Sequence, residues 1–154
     1  TTDEEFEETL RLNLWSSFGA VRAAGKTMRS SGGSVVLFAT AAARAGVPNH
    51  EAIAAAKGGV IGLATSAAST YATNNIRFNV IAPGLVDTPG ASEITGNDMA
   101  KKASAAMHAL GRIGQPEDIA PLADLLLSDE SSWTTGQVFG VDGGLATLRT
   151  RVKV

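Results

Sequence analysis

The sequence contains no cysteine among its 154 residues. Disulfides, zinc–thiolate sites, iron–sulfur clusters and a cysteine nucleophile are therefore excluded within this chain. Histidine is nearly as scarce. His50 and His108 are the two, far apart in sequence, so no metal site is expected. Aromatic residues make up 5% and charged residues 18%. The 13 basic residues do not outnumber the 15 acidic ones, and the net charge is -2. Without a basic face, nucleic acid is not an expected partner. Asp3, Glu4, Glu5, Glu7 and Glu8 concentrate acid at the start, and Arg149, Arg151 and Lys153 place base at the tail. The middle is nearly neutral, a poor basis for electrostatic steering. No run of about 18 uncharged apolar residues occurs, so no membrane span is read. The acidic start does not resemble a signal peptide. A cytoplasmic protein is the expectation.

What the chain does have is small residues. Ala (26) and Gly (17) fill 43 of the 154 positions. That density implies close approach of helix to sheet and helix to helix, and places where a ligand lies against main chain. With 44% apolar residues, the chain is long enough for a core of its own.

Thr2 and Glu5 have capping-box spacing. Phe6, Leu10, Leu14, Phe18 and Val21 recur at helical spacing, and Leu12 and Trp15 add a second apolar side. A helix over 2–28 with contacts on two sides follows. Ser34 to Ala39 is a continuous β-rich run, as in a strand covered on both faces. Glu51 to Thr73 predicts an alanine-rich helix ended by Asn74 and Asn75. Ile76 to Ala82 is the second strand, stopped by Pro83 and Gly84. The two runs are expected as the central strands of a parallel sheet. Asp87 to Gly96 reads as a loop and Asp98 to Leu110 as a helix. Pro116 suits a first helical position, and that helix fades at Ser128. Gln137 to Val141 is a third strand, closed by Asp142, Gly143 and Gly144. The order predicts an α/β, Rossmann-like, doubly wound parallel sheet. Three strands make it narrow, with a long apolar rim.

Several segments stand in a recognisable order. They are Asn13-Leu14, Gly33-Ser34-Val35-Val36, Lys57 with Gly62-Leu63, and Ile76 through Gly84 (Ile-Arg-Phe-Asn-Val-Ile-Ala-Pro-Gly). Gly111 through Ala120 follows, then Thr135-Gly136-Gln137 and Val141-Asp142-Gly143-Gly144. Together these resemble the C-terminal part of a classical short-chain dehydrogenase/reductase, from about Phe6 to Leu145. The resemblance implies strands five, six and seven of that family's Rossmann fold. The Gly-rich turn of the dinucleotide fingerprint belongs to the family's first half and is not seen here. The resemblance therefore implies part of one such domain, spanning 1–154. Its first half belongs either to a longer protein or to a separate chain. A self-sufficient small domain is the other reading.

The resemblance implies an NAD- or NADP-dependent oxidoreductase acting on an alcohol or carbonyl. The family's Asn falls on Asn13, its Ser on Thr40 and its Lys on Lys57. Its Tyr falls on Ile53. Pro83, Gly84, Val86 and Thr88 match the nicotinamide-side loop. In the family the Tyr hydroxyl passes the proton and the Lys lowers its pKa and holds the ribose. Isoleucine has no proton to give. Tyr71 lies eighteen residues past Ile53, about 27 Å along a helix, and is expected to pack rather than react. His50 is one turn from Ile53 and could approach a substrate oxygen; otherwise it is a polar residue at a helix start. His108 sits in the substrate-side region. A homo-oligomer through helices 2–28 and 51–73 is implied, and a non-catalytic homologue is the alternative function.

Overall fold

The computed structural model describes residues 1–149; Arg151 and Lys153 of the basic tail lie outside the described residues. The first helix starts as expected. Thr2 Oγ1 accepts from the Glu5 amide at 3.2 Å and the Glu5 carboxylate accepts from the Thr2 amide at 2.8 Å. The helix runs as α1 (Asp3–Leu10), a π-helical turn (Arg11–Trp15) and α2 (Ser16–Thr27). The alanine-rich segment is α3 (Glu51–Tyr71), and Asn75 takes a left-handed conformation (φ 55°) just beyond it.

Strands β1 (Gly33–Phe38), β2 (Ile76–Pro83) and β3 (Val138–Val141) form one parallel sheet in that order. This is the α/β, Rossmann-like arrangement expected, with one correction. Only β2 is central; β1 lies at the edge and is half-buried. No strand among the described residues lies on its outer side. The Gly33 and Ala39 amides donate to the carbonyls of Asn75 (3.0 Å) and Ile81 (2.8 Å). By the alternation of a parallel ladder, the amides of Ser34, Val36 and Phe38 point to the open edge.

The two faces of β2 explain its run of apolar residues. Ile76, Phe78, Val80 and Ala82 pack with Val21 and Ala24 of α2 and Val60, Ala64, Ala67 and Ala68 of α3. Ile81 packs on the other face against Ile119 and Leu126 of α6 (Pro116–Leu127). Two polar residues share that face. Asn79 is fully buried; it donates to the Thr134 carbonyl at 2.8 Å and accepts from the Gln137 amide at 3.1 Å. Arg77 donates to the Ser128 and Thr134 carbonyls and to Ser131 Oγ. Pro116 takes the first helical position of α6 as read.

The segment expected as loop holds a short helix, α4 (Ser92–Thr95), followed by α5 (Asp98–Met107). Helix Glu51–Asn74 is long and apolar enough to cross a membrane by length and composition. That departs from the sequence expectation, since only Lys57 interrupts the run beyond Glu51. Here the helix is a core element, with one face buried on the sheet.

Small residues do allow close approach. A Cβ on Gly59 would come 2.8 Å from Leu14, and one on Gly25 would come 2.5 Å from the Tyr71 ring. Tyr71 itself leans on Phe78, with ring centroids 5.7 Å apart. It is the packing residue expected.

Gly25→Ala sets two effects in opposition. Alanine improves helix propensity by about 1 kcal/mol, while overpacking against the ring costs about 1–3 kcal/mol. Net destabilisation is expected, read as a lower urea midpoint. An unchanged or higher midpoint would show that the Tyr71 ring yields freely.

Candidate active site

Thr40 and the Pro83–Gly84 pair stand at the C-terminal ends of β1 and β2. Thr40 follows β1 directly. Its Oγ1 accepts from the Ala42 amide at 3.3 Å and caps a single 3₁₀ turn, Ala41–Ala43. The chain then crosses to α3 through Asn49, whose φ is 60°. His50 stands at the N-cap of α3, and its Nδ1 lies 2.8 Å from the Pro48 carbonyl. A carbonyl only accepts, so Nδ1 carries the proton of that bond.

On the β2 side, Pro83 ends the strand and the Gly84 amide donates to the Val141 carbonyl at 3.2 Å. A Cβ on Gly84 would fall 2.5 Å from His108 Nε2, so glycine is required by close packing there. Between the two strand ends opens a cleft of about 360 Å³. Thr40, His50, Gly84, Leu85, Ser104 and Met107 are among its walls. The α5 wall is formed by Ala100, Ala103, Ser104 and Met107, spaced i, i+3, i+4, i+7. The sequence reading missed this stripe. Its spacing carries the signal, but nothing in it says which element the stripe faces.

Lys57 lies half-buried one turn after Ile53. Its Nζ donates to the Phe38 carbonyl at 3.0 Å, on the open side of β1 by the alternation above. Burial pushes its pKa below the ordinary lysine value. Ile53 is also half-buried and is not among the described residues lining the cleft.

Asn13 sits at the centre of the π-helical turn. Its Nδ2 donates to the Thr9 carbonyl at 3.0 Å, and its own carbonyl accepts from Ser17 Oγ at 2.7 Å. An extra residue in a helical turn frees backbone carbonyls from the usual ladder, and the serine hydroxyl takes this one. The turn lies against α3, where Leu14 packs over Gly59. The described hydrogen bonds of Asn13 stay within its own helix, with none to Lys57.

His108 takes no place in the cleft. It is 4% exposed; Nδ1 bonds the Ser104 carbonyl at 2.7 Å and Nε2 accepts from the Leu85 amide at 3.2 Å. A neutral imidazole with one donor and one acceptor is thereby satisfied. The substrate-side reading of His108 is corrected: it pins the end of α5 to the turn after β2.

Val86 forms an isolated bridge with Gly114, and Thr88 precedes the Pro89–Ala91 turn. Among the described residues the Val86 and Thr88 amides have no backbone partner. Free amides beside a glycine, and an ammonium with protons to spare, suit the carboxamide and ribose of a nicotinamide nucleotide. The residues present fit that half of a dinucleotide. A Gly-rich phosphate turn is not among them.

Comparison with known proteins agrees with the geometry. A family model described as enoyl-(acyl carrier protein) reductase matches residues 1–146. A 3-oxoacyl-(acyl-carrier-protein) reductase of Thermotoga maritima is 35% identical over 144 residues, covering 93% of this chain and 58% of that protein. A protein of Xanthobacter autotrophicus named inactive 2-(S)-hydroxypropyl-CoM dehydrogenase 2 is 36% identical over 153 residues, covering 96% of this chain and 66% of that one. A solved short-chain type dehydrogenase/reductase from Mycobacterium ulcerans superposes with a TM-score of 0.88 at 34% identity, over 96% of this chain and 54% of that structure. The chain thus spans under three fifths of the Thermotoga relative. On the family model, the fold and the ordered motifs together, the chain belongs to the short-chain dehydrogenase/reductase family.

Proposed function

We propose that this chain is the site-bearing C-terminal part of an NAD- or NADP-dependent oxidoreductase acting on an alcohol or carbonyl, with turnover impaired by Ile53. The observation that carries it is the meeting of Thr40, Lys57 and Pro83–Gly84 at the C-terminal ends of two adjacent parallel strands. Ligands of open α/β sheets bind at such strand ends. The nicotinamide, when bound, supplies hydride chemistry. Thr40 offers a hydroxyl to the reacting oxygen. Lys57 is placed for ribose hydroxyls, Pro83 and Gly84 for the flat ring, and the Val86 and Thr88 amides for the carboxamide and the neighbouring phosphate. Asn13 supports the α3 side of the site.

The open edge of β1 calls for a neighbour. A parallel strand from the family's first half, on the same polypeptide or on a separate chain, would satisfy the outward amides and bring the phosphate-binding turn. A second contact is proposed along the first helix. Trp15 is 69% exposed and Leu12 57%, with Phe6 and Phe18 also exposed. Exposed aromatic and aliphatic side chains on two sides of this helix fit a homo-oligomer through α1, α2 and α3.

A second reading is favoured by Ile53 itself: a non-catalytic homologue that pairs with an active partner or holds a ligand. One relative at 36% identity is itself named inactive. Cytoplasmic residence and a small-molecule substrate go with either reading.

Two measurements follow. In the full-length protein, Ile53→Tyr should raise turnover against a panel of alcohols and ketones by about 10²–10⁴-fold, the usual worth of a positioned acid or base. Some overpacking will accompany the larger ring. A wild-type rate already near 10 per second, the enzyme median, would defeat the impairment. For the interface, sedimentation should show a dimer or larger species that Trp15→Glu dissociates. A monomer at high concentration would rule the interface out.

Lys57 gives a test of burial alone. Its folded-state pKa lies below its unfolded value, so the folded protein is penalised while the ammonium is charged. The penalty fades as pH rises through the lowered pKa. Wild type should therefore gain stability relative to Lys57→Met between neutral pH and pH ~10, near the free lysine value. A constant gap in urea midpoint would contradict the shift.

A further inference from the structure

We propose that His50 delivers the proton to the substrate oxygen in this site, in the role that residue 53 cannot fill. The inference rests on the oxidoreductase reading above and names a catalytic residue within it.

Four observations lead to His50. First, among the described residues lining the cleft it is the single ionisable one. It shares that wall with Thr40, the hydroxyl matched to the reacting oxygen. Second, the ring is held. Nδ1–H is committed to the Pro48 carbonyl at 2.8 Å, which leaves Nε2 as the nitrogen available to a ligand. A base or acid oriented by a second hydrogen bond is the arrangement catalysis needs.

Third, a defined Pro48–Asn49 turn delivers His50. Asn49 has a φ of 60°, one of two non-glycine residues in the left-handed region among those described. The other, Asn75, ends a helix; Asn49 ends nothing. Its conformation turns the chain from Pro48 into α3, and the Nδ1–Pro48 bond closes across that turn.

Fourth, the competing groups are engaged elsewhere. Lys57 Nζ is on the Phe38 carbonyl. His108 has both nitrogens bonded within the core. Thr40 and Ser104 bring only hydroxyls, very weak acids. Ile53 is aliphatic and has no proton to give. The remaining cleft walls, from α4, α5 and the turn after β2, carry no charged side chain.

The step balances simply. In the reducing direction the substrate's carbonyl carbon accepts a hydride given up by the reduced nicotinamide. The π pair of the C=O bond moves onto oxygen, and that oxygen takes the Nε2 proton. The products are the alcohol, the oxidised nicotinamide and a neutral imidazole. Nε2 regains a proton from solvent, to which His50 is partly open. Oxidation runs the same transfers in reverse.

The experiment uses the full-length protein and four variants: His50→Gln, His50→Ala, Ile53→Tyr and the double variant Ile53→Tyr with His50→Gln. His50→Gln should lower the residual ketone-reduction turnover by about 10²-fold while cofactor affinity and KM stay as in wild type. Added imidazole should restore part of the His50→Ala rate. In the Ile53→Tyr background the same glutamine should cost far less, because the phenol then carries the proton. A readout without turnover is nitrogen NMR of labelled histidine. The Nε2 signal that disappears in His50→Gln should move when an unreactive alcohol or ketone analogue is added.

An unchanged rate in His50→Gln, or an Nε2 signal indifferent to the analogue, overturns the assignment. A wild type with no measurable reduction overturns it as well. In that case Ile53→Tyr separates the two ideas. Turnover in that variant leaves the oxidoreductase reading standing, and an inert variant removes both.

Discussion

The structure depends on one strand buried on every side. β2 gives its backbone to β1 on one edge and to β3 on the other. Its side chains alternate between the α2–α3 layer and the α6 layer. Four of its apolar residues, Ile76, Phe78, Val80 and Ile81, are essentially without exposed surface. Burying such a side chain is worth about 1.5–3 kcal/mol, so β2 anchors both layers at once. The polar pair on the α6 face works to the same end. Asn79 and Arg77 bond the carbonyls and amides of 128–137 and so fix where β3 begins. With β2 held along its length, Pro83 and Gly84 emerge at a set place beside Thr40.

The site inherits that rigidity unevenly. On the β2 side everything is tied: Gly84 to Val141, Leu85 to His108, His108 to Ser104. On the α3 side the positions matched to Tyr and Lys hold an isoleucine and a lysine bonded to main chain. The proton chemistry therefore moves, in the assignment above, from the first turn of α3 to the residue just before it. His50 and Ile53 are separated by one turn of the same helix start.

Much of this was legible in the residues. The strands, the order of elements, the Thr2–Glu5 cap and Pro116 all carry local signals, namely apolar runs, a capping box and a fixed φ. Asn13, polar between Leu12 and Leu14, signalled disturbance, and the helix widens there into a π turn. What local patterns could not supply was neighbourhood. A β-rich run reads alike at the centre and at the edge of a sheet, so the sequence implied an open apolar rim without showing that β1 forms it. His108 in a helix of mixed polarity looks available to substrate until its two bonds are seen. The α5 stripe that walls the cleft has helical spacing, but spacing names no partner. Family resemblance located Thr40, Ile53 and Lys57; only the folded arrangement shows His50 and Thr40 together in the cleft wall.

The open edge of β1 connects the fold to the proposal for its function. Phe38 presents its carbonyl there to Lys57, and Ser34, Val36 and Phe38 direct their amides outward with no strand beside them among the described residues. If the chain is one part of a wider sheet, those amides are bonded in the full-length protein. Hydrogen exchange measured residue by residue along β1 tests this most directly. A neighbouring parallel strand predicts that Ser34, Val36 and Phe38 exchange as slowly as Val35 and Leu37, which face β2. Rapid exchange at the three outward amides, with Val35 and Leu37 still protected, would show an unpaired edge and contradict the proposed wider sheet.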